Sequence, residues 1–415
     1  MTPPRDTFEP VLRHEYGRVV AALMREFGAA RLAVVEDGLA QAMLEATLSW
    51  RTRGAPPNAR AWLLRAARHR VLDELRRQRP LTPLEEAAPD EPAPEGPQPG
   101  LSDDVHDDEL RALLVCADPA IPLSSQIVFA LRTLCGFSTR EIATRLVTTE
   151  ENVQKRWERA RDALRTVDLG REPSAEQRPA RTEGVLRMIY VLFTEGYFAS
   201  NGETVLRLEL SEEALRLGTL VAEHPGYTSN EAWALVALMH LHHARRDART
   251  DEQGLPVLLE QQDRTRYRRE ELALAMAAFQ RAARAGLHSK YHLEAAIAAE
   301  HAFAPSFADI RWASIVTLYE RLGRLDPSPL HELHEAIARS YAEGPAVALG
   351  RLEALRPPAW LAGSHLWLAT AADFQRRLGK AAEARALYEQ AIALAPPLER
   401  LVLQRRVDEL PLAHP

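Results

Sequence analysis

The segment from residue 80 to residue 109 constrains this chain more than any other. It holds ten acidic residues and no lysine or arginine, and seven prolines lie between Pro80 and Pro99. Such a stretch cannot bury enough apolar area to offset the entropy of ordering it, so an extended, disordered acidic linker is expected over 80–106. At 415 residues the chain is also too long for a single core. A second interruption, GREPSAEQRP at 170–179, combines helix breakers with charge. The expected division is therefore 1–79, the linker 80–106, 107–168 and 180–415.

Between these breaks the apolar spacing is helical. Leu12, Val19, Leu23 and Phe27 fall on one helix face, Leu39, Met43, Ala46 and Trp50 on a second, and Trp62, Leu63, Ala66, Ala67, Val71 and Leu75 on a third. No segment alternates with period two for long enough to predict a sheet, so the expected class is all-α. Cys116 and Cys135, 19 positions apart, match neither a disulfide framework nor a zinc-ligand spacing and are expected to be buried. A start without a basic and apolar leader, and the lack of 18 successive apolar residues, predict a cytoplasmic protein with no membrane partner.

The sharpest local pattern runs from Gly136 to Arg165, GFSTREIATRLVTTEENVQKRWERARDALR. Ser138 or Thr139 can cap a helix whose inner face is Ile142, Ala143 and Leu146, and Thr149 can cap a second with Val153, Trp157, Ala160 and Leu164 inside. The pattern predicts a helix-turn-helix whose second helix fits a DNA major groove. Gln154, Lys155, Glu158, Arg159 and Arg161 fall on its outward face. A second basic stretch, 51–79, carries nine arginines against Asp73 and Glu74, a balance of +7. Trp62 and His69 are interleaved there, offering aromatic surface to unpaired bases beside phosphate-binding charge. The net charge of -6 over the whole chain conceals this local excess.

In these two blocks, 10–168 resembles the extracytoplasmic-function branch of the sigma-70 sigma factors. VVEDGLAQA at 34–42 and NARAWLLRAARHRVLDELRR at 58–77 are similar to that family's module for core polymerase and promoter melting. The helix-turn-helix resembles the module that reads the -35 element. The resemblance implies polymerase contacts through Glu36, Asp37 and Gln41. For the -10 element it implies Arg60, Trp62, Arg65, His69, Arg70, Arg76 and Arg77, and for the -35 element Thr139, Arg140, Gln154, Lys155, Arg156, Glu158 and Arg159. Core RNA polymerase and promoter DNA are the implied partners, no cofactor is implied, and the factor itself makes or breaks no bond. The chain departs from the family at Ala40-Gln41, where Gln-Glu is usual, and at His69, where asparagine is usual.

Residues 180–415 are similar to the long C-terminal extension of one subgroup of that family, on VLRMIYVLFTEGYFAS at 185–200, LVALMHLHHARRDART at 235–250 and YHLEAAIAAEHAFAP at 291–305. Ala384, Tyr388, Ala391 and Pro396 have the spacing of the second helix of a tetratricopeptide unit. Ala348, Leu352 and Leu355 lie 36 residues earlier, and Tyr319, Leu322 and Pro327 precede those. Tetratricopeptide-like repeats are thus expected over about 290–396, with a concave groove for a protein ligand or for the sigma modules themselves. His240, His242 and His243, and the pair His331 and His334, lack a third ligand at a metal-binding spacing and are expected to be structural. Phosphate-loop, nucleophile-elbow and His-Glu-x-x-His patterns are absent, so nothing in the sequence points to an enzyme. The rival expectation is a helix-turn-helix regulator with a tetratricopeptide sensor that acts at an operator without entering polymerase.

Overall fold

The computed structural model describes residues 9–78, 104–146, 148–165, 174, 176–197, 208–286 and 288–411. The described chain is all-α: its only extended pairing is an isolated bridge between Thr250 and Pro256. No described helix is long and apolar enough to cross a membrane. The chain forms two compact units, Met1–Leu192 and Phe193–Pro415. They divide inside helix α8 (Arg178–Tyr197), not at the break near 170–179.

The first unit opens with α1 (Glu9–Phe27), α2 (Leu32–Arg53) and α3 (Ala59–Arg77). Their apolar faces are those the spacing predicts: Val19, Leu23, Leu39, Ala46, Trp50, Leu63, Ala67 and Val71 are all buried. Asn58 starts α3 by accepting the Ala61 N–H at 2.9 Å. Gly38 lets α2 and α3 approach, because a Cβ there would lie 2.8 Å from the Val71 side chain.

The acidic segment ends differently from expectation. Residues 79–103 lie outside the described residues, but helix α4 (Asp104–Cys116) already begins within the run assigned to the linker. Asp108 and Glu109 are buried in it, Asp108 beside Arg25 at 3.3 Å and Glu109 beside Arg18 at 3.9 Å. The acids at this end are therefore paired with α1 arginines, which lowers the desolvation cost that composition alone charges against ordering them. Next come α5 (Leu123–Phe129), which runs on into a π turn over Ala130–Leu134, then α6 (Thr139–Arg145) and α7 (Glu150–Leu164).

The two modules expected on either side of the linker pack directly on each other. Gly17 of α1 meets the π turn backbone to backbone, so that a Cβ at this position would fall 1.9 Å from the Leu134 carbonyl oxygen. Beside it the Tyr16 ring fills the space over Gly136, whose φ of 67° suits glycine.

In the second unit α9 (Leu208–Glu223), α11 (Arg269–Ala282) and α12 (Lys290–Phe303) surround α10 (Asn230–Ala244), which is buried on nearly every side from Ala232 to Ala244. A helix apolar all round has to be central. Then follow α13 (Trp312–Leu325), α14 (Pro329–Ala342), α15 (Pro345–Ala354), the single turn α16 (Ala359–Ala362), α17 (His365–Arg377), α18 (Ala381–Leu394) and α19 (Pro397–Asp408). Three successive apolar clusters hold this part together, centred on Ile315 and Leu322, on Leu333 and Leu352, and on Ala384 and Tyr388.

Gly17→Ala is expected to destabilise the first unit by about 1–3 kcal/mol, the usual cost of forcing an extra carbon into a packed contact. Urea denaturation checks this; an unchanged midpoint would mean that α1 does not seat on 130–134.

Candidate functional site

Local sequence builds the helix pair at 138–164 as its pattern predicts. Ser138 caps α6 through a reciprocal capping box, its hydroxyl accepting the Glu141 N–H at 3.2 Å while the Glu141 carboxylate accepts the Ser138 N–H at 2.8 Å. Thr149 caps α7 by accepting the Asn152 N–H at 3.2 Å. Val153, Trp157, Ala160 and Leu164 are buried, so the opposite face of α7 is presented outward. Arg140, Lys155 and Arg159 are exposed; Thr139, Arg156 and Glu158 are half-buried. Lys155 is drawn to Glu151 at 2.6 Å across one helical turn.

Gln154 points elsewhere. Its carbonyl oxygen accepts from Arg132 at 3.1 Å and its amide donates to Glu158 at 2.8 Å. Arg132 lies on the π turn, with its guanidinium 4.0 Å from the centre of the Trp157 ring. The same guanidinium reaches Glu36 of α2 at 3.6 Å, and the Thr133 hydroxyl donates to the other Glu36 oxygen at 3.1 Å. Burial pushes the Glu36 carboxyl above the usual range; Arg132 and the Thr133 bond oppose that shift.

Glu36 is thus buried, in contrast to the exposed polymerase contact that the resemblance implies, whereas Asp37 and Gln41 are exposed on the same helix. One arginine joins a residue expected to touch polymerase to a residue expected to touch DNA. Neither Arg132 nor Thr133 is among the site residues read from the sequence. A signal for Arg132 was available, since it is the only charged residue between Asp118 and Arg140. A lone arginine in an apolar run must find a partner or reach solvent.

On α3, Arg65 and His69 are exposed and Trp62 is half-buried, its ring edge-on to Trp50 at 5.6 Å. The arginine belt is less free than its +7 balance suggests. Arg60 pairs with Glu15 at 2.5 Å, Arg70 with Glu45 at 3.1 Å, Arg76 with Asp73 at 3.8 Å and Arg77 with Glu74 at 3.3 Å. Exposed pairs of this kind contribute about 0–1 kcal/mol each, so the last three exchange readily for a phosphate.

Of the histidines in the sequence pattern, His243 is buried, His240, His242 and His331 are half-buried and His334 is exposed. His243 Nε2 meets the Ser211 hydroxyl at 2.9 Å, His240 Nδ1 meets Glu271 at 2.6 Å, and His331 Nδ1 meets the Asp326 carbonyl at 2.9 Å. Cys116 and Cys135 are both buried.

The chain is 36% identical over 400 residues to an uncharacterized protein, R00370, of Rhizobium meliloti (strain 1021), covering 95% of this chain and 93% of that protein. The chain belongs to that protein's family. Residues 181–283 also match the model of a family of unknown function, DUF6596. No solved structure matches the chain. The matched region contains a tightly built corner of the second unit. There a Cβ on Gly196 would lie 2.6 Å from the Ser211 nitrogen, and Arg249 stacks 4.1 Å over the Tyr197 ring while donating to the Tyr197 carbonyl at 2.6 Å. The VLFTEGY motif therefore acts in packing: it closes α8 onto α9 and anchors the loop after α10.

Because folding raises the Glu36 carboxyl, its protonated form is the one the packed state favours. Its contribution is fully present below the pKa of the unfolded carboxyl and is lost as pH rises through the folded value. Glu36→Gln, which keeps an acceptor for Thr133, should flatten the fall in stability above the ordinary carboxylate range and leave the unit at least as stable at pH 7–8. Urea denaturation at a series of pH values measures this, and a clear loss of stability at neutral pH would show that the Arg132 attraction outweighs desolvation.

Proposed function

We propose that this protein is an RNA polymerase sigma factor of the extracytoplasmic-function type, whose C-terminal unit, an array of tetratricopeptide-like repeats, regulates promoter-specific initiation. The observation that carries the reading is the capped helix pair at 138–164, with Arg140, Lys155 and Arg159 on its exposed side. Its support comes from a second basic helix, α3, that offers Arg65 and His69 to solvent beside the half-buried Trp62. The α7 face would read base edges of the -35 element and hold phosphates, while α3 would hold unstacked bases of the -10 element. Extruding a base costs a few kcal/mol, and base stacking on aromatic rings together with phosphate contacts offsets that cost.

In this reading the packed form of the first unit is a closed state. Glu36 and Gln154 are both engaged by Arg132, so polymerase binding through α2 and base contact through Gln154 require the two modules to separate. The interface is suited to release, because it sets a desolvated carboxylate against one guanidinium that also has a second acceptor and an aromatic face. Burial of Glu36 equally favours the rival reading, a helix-turn-helix regulator that never docks on polymerase. Transcription from a defined promoter with purified core enzyme separates the two, since only a sigma factor directs specific initiation without another factor.

Arg159→Ala is expected to weaken promoter binding by about 1–3 kcal/mol, and footprinting of the -35 segment reads this directly. Arg132→Ala should do the opposite for polymerase, tightening association with core enzyme by exposing Glu36. Failure of the wild-type chain to bind core enzyme, together with no gain in Arg132→Ala, would remove the sigma reading and leave the regulator.

A further inference from the structure

The second unit contains an open-sided chamber of about 560 Å³, within the size range of small-molecule sites. One wall is aromatic. Trp312 and Tyr341 stack with centres 4.4 Å apart, and Phe307 stands edge-on to both at 5.4 and 5.2 Å. Ile315, Ile337, Ala369 and Phe374 extend the apolar lining.

Most polar groups in the walls are already committed. His301 is pushed down to about 3, mainly by burial, so its ring is neutral at pH 7. His301 Nδ1 is buried with no hydrogen-bond partner among the described residues. Among the described lining residues the one guanidinium is that of Arg406, which is held by Glu260 and by Glu409 at 3.3 Å. Three lining carboxylates face it: Glu260 itself, Asp373 paired with Arg376 at 2.7 Å, and Glu399 beside His365 at 2.6 Å. An anionic ligand would enter a lining whose three carboxylates outnumber its one guanidinium, whereas a cation would find that excess of negative charge beside aromatic rings.

The segment 250–262 argues for a compact ligand over an extended peptide. Leu259 packs on the cluster formed by α12 and α13, while Glu260 and Asp251 reach Arg406 and Arg405 of α19. The segment so ties the two ends of the helical stack together and takes up part of the wall itself.

We propose that this chamber binds a small, largely apolar aromatic molecule that is uncharged or carries a single positive charge. The site goes beyond the initiation reading and does not rest on it: probe binding and polymerase binding are separate measurements, and either can fail alone.

Isothermal titration of the full chain with tetraphenylphosphonium and with tetraphenylborate, near-isosteric ions of opposite charge, tests the proposal in potassium-free buffer. One phosphonium per chain is expected, bound at least about tenfold more tightly than the borate. Ala369→Trp, which fills the chamber, should weaken phosphonium binding by about tenfold or more. Leu366→Trp, at a lining position that is already 44% exposed, should do the same and carries the test if the first variant unfolds on thermal denaturation. Three results would overturn the proposal: no binding of either ion to folded protein, tighter binding of the borate, or phosphonium binding unchanged in a folded tryptophan variant.

Discussion

The guanidinium of Arg132 is the contact on which the arrangement of the first unit depends. It touches Glu36 from α2, Gln154 from α7 and the ring of Trp157 together. Without it the buried Glu36 carboxylate would have only the Thr133 hydroxyl, and an uncompensated buried charge costs several kcal/mol. The contact is reached only because Gly17 lets α1 lie against the π turn at 130–134, bringing residue 132 over α2. A steric permission and an electrostatic demand thus act at the same interface, one setting the distance and the other the partner.

The same balance runs through the rest of this unit. Arginines on α1 and α3 are met by carboxylates, some buried, as at Asp108 and Glu109, and some exposed, as at Glu45 and Glu74. Buried pairs resist exchange because breaking one leaves a charge in low dielectric, while exposed pairs yield to any competing anion. A surface made of the second kind keeps its charge available, and a module interface made of the first kind keeps its register.

The second unit is organised by neighbours. Its clusters form between consecutive helices along α12–α19, and each joins helices close in sequence. Beside the chamber at Trp312 and Tyr341, the ion pair of Arg406 with Glu260 spans 146 residues of chain. Burial, helped by nearby Arg245 and Arg264, keeps the His301 ring neutral there.

Much of the fold was legible because helices announce themselves locally. The apolar faces of α1, α2, α3 and α7, the Ser138 and Thr149 caps and the burial of both cysteines all follow from spacing and side-chain chemistry within a few residues. The sequence by itself determined an all-α chain, the capped helix pair, and the outward placing of Lys155 and Arg159 on α7, though not the inward turn of Gln154. Tertiary structure alone decided that Glu36 is covered while Asp37 beside it is exposed, that helix α4 takes in residues 104–106 of the expected linker, and that the compact units part inside α8. Each of those outcomes depends on residues far apart in the chain meeting at one place, and no local period encodes such a meeting. A carboxylate is polar in any sequence window, and only the guanidinium 96 positions later makes burying it tolerable.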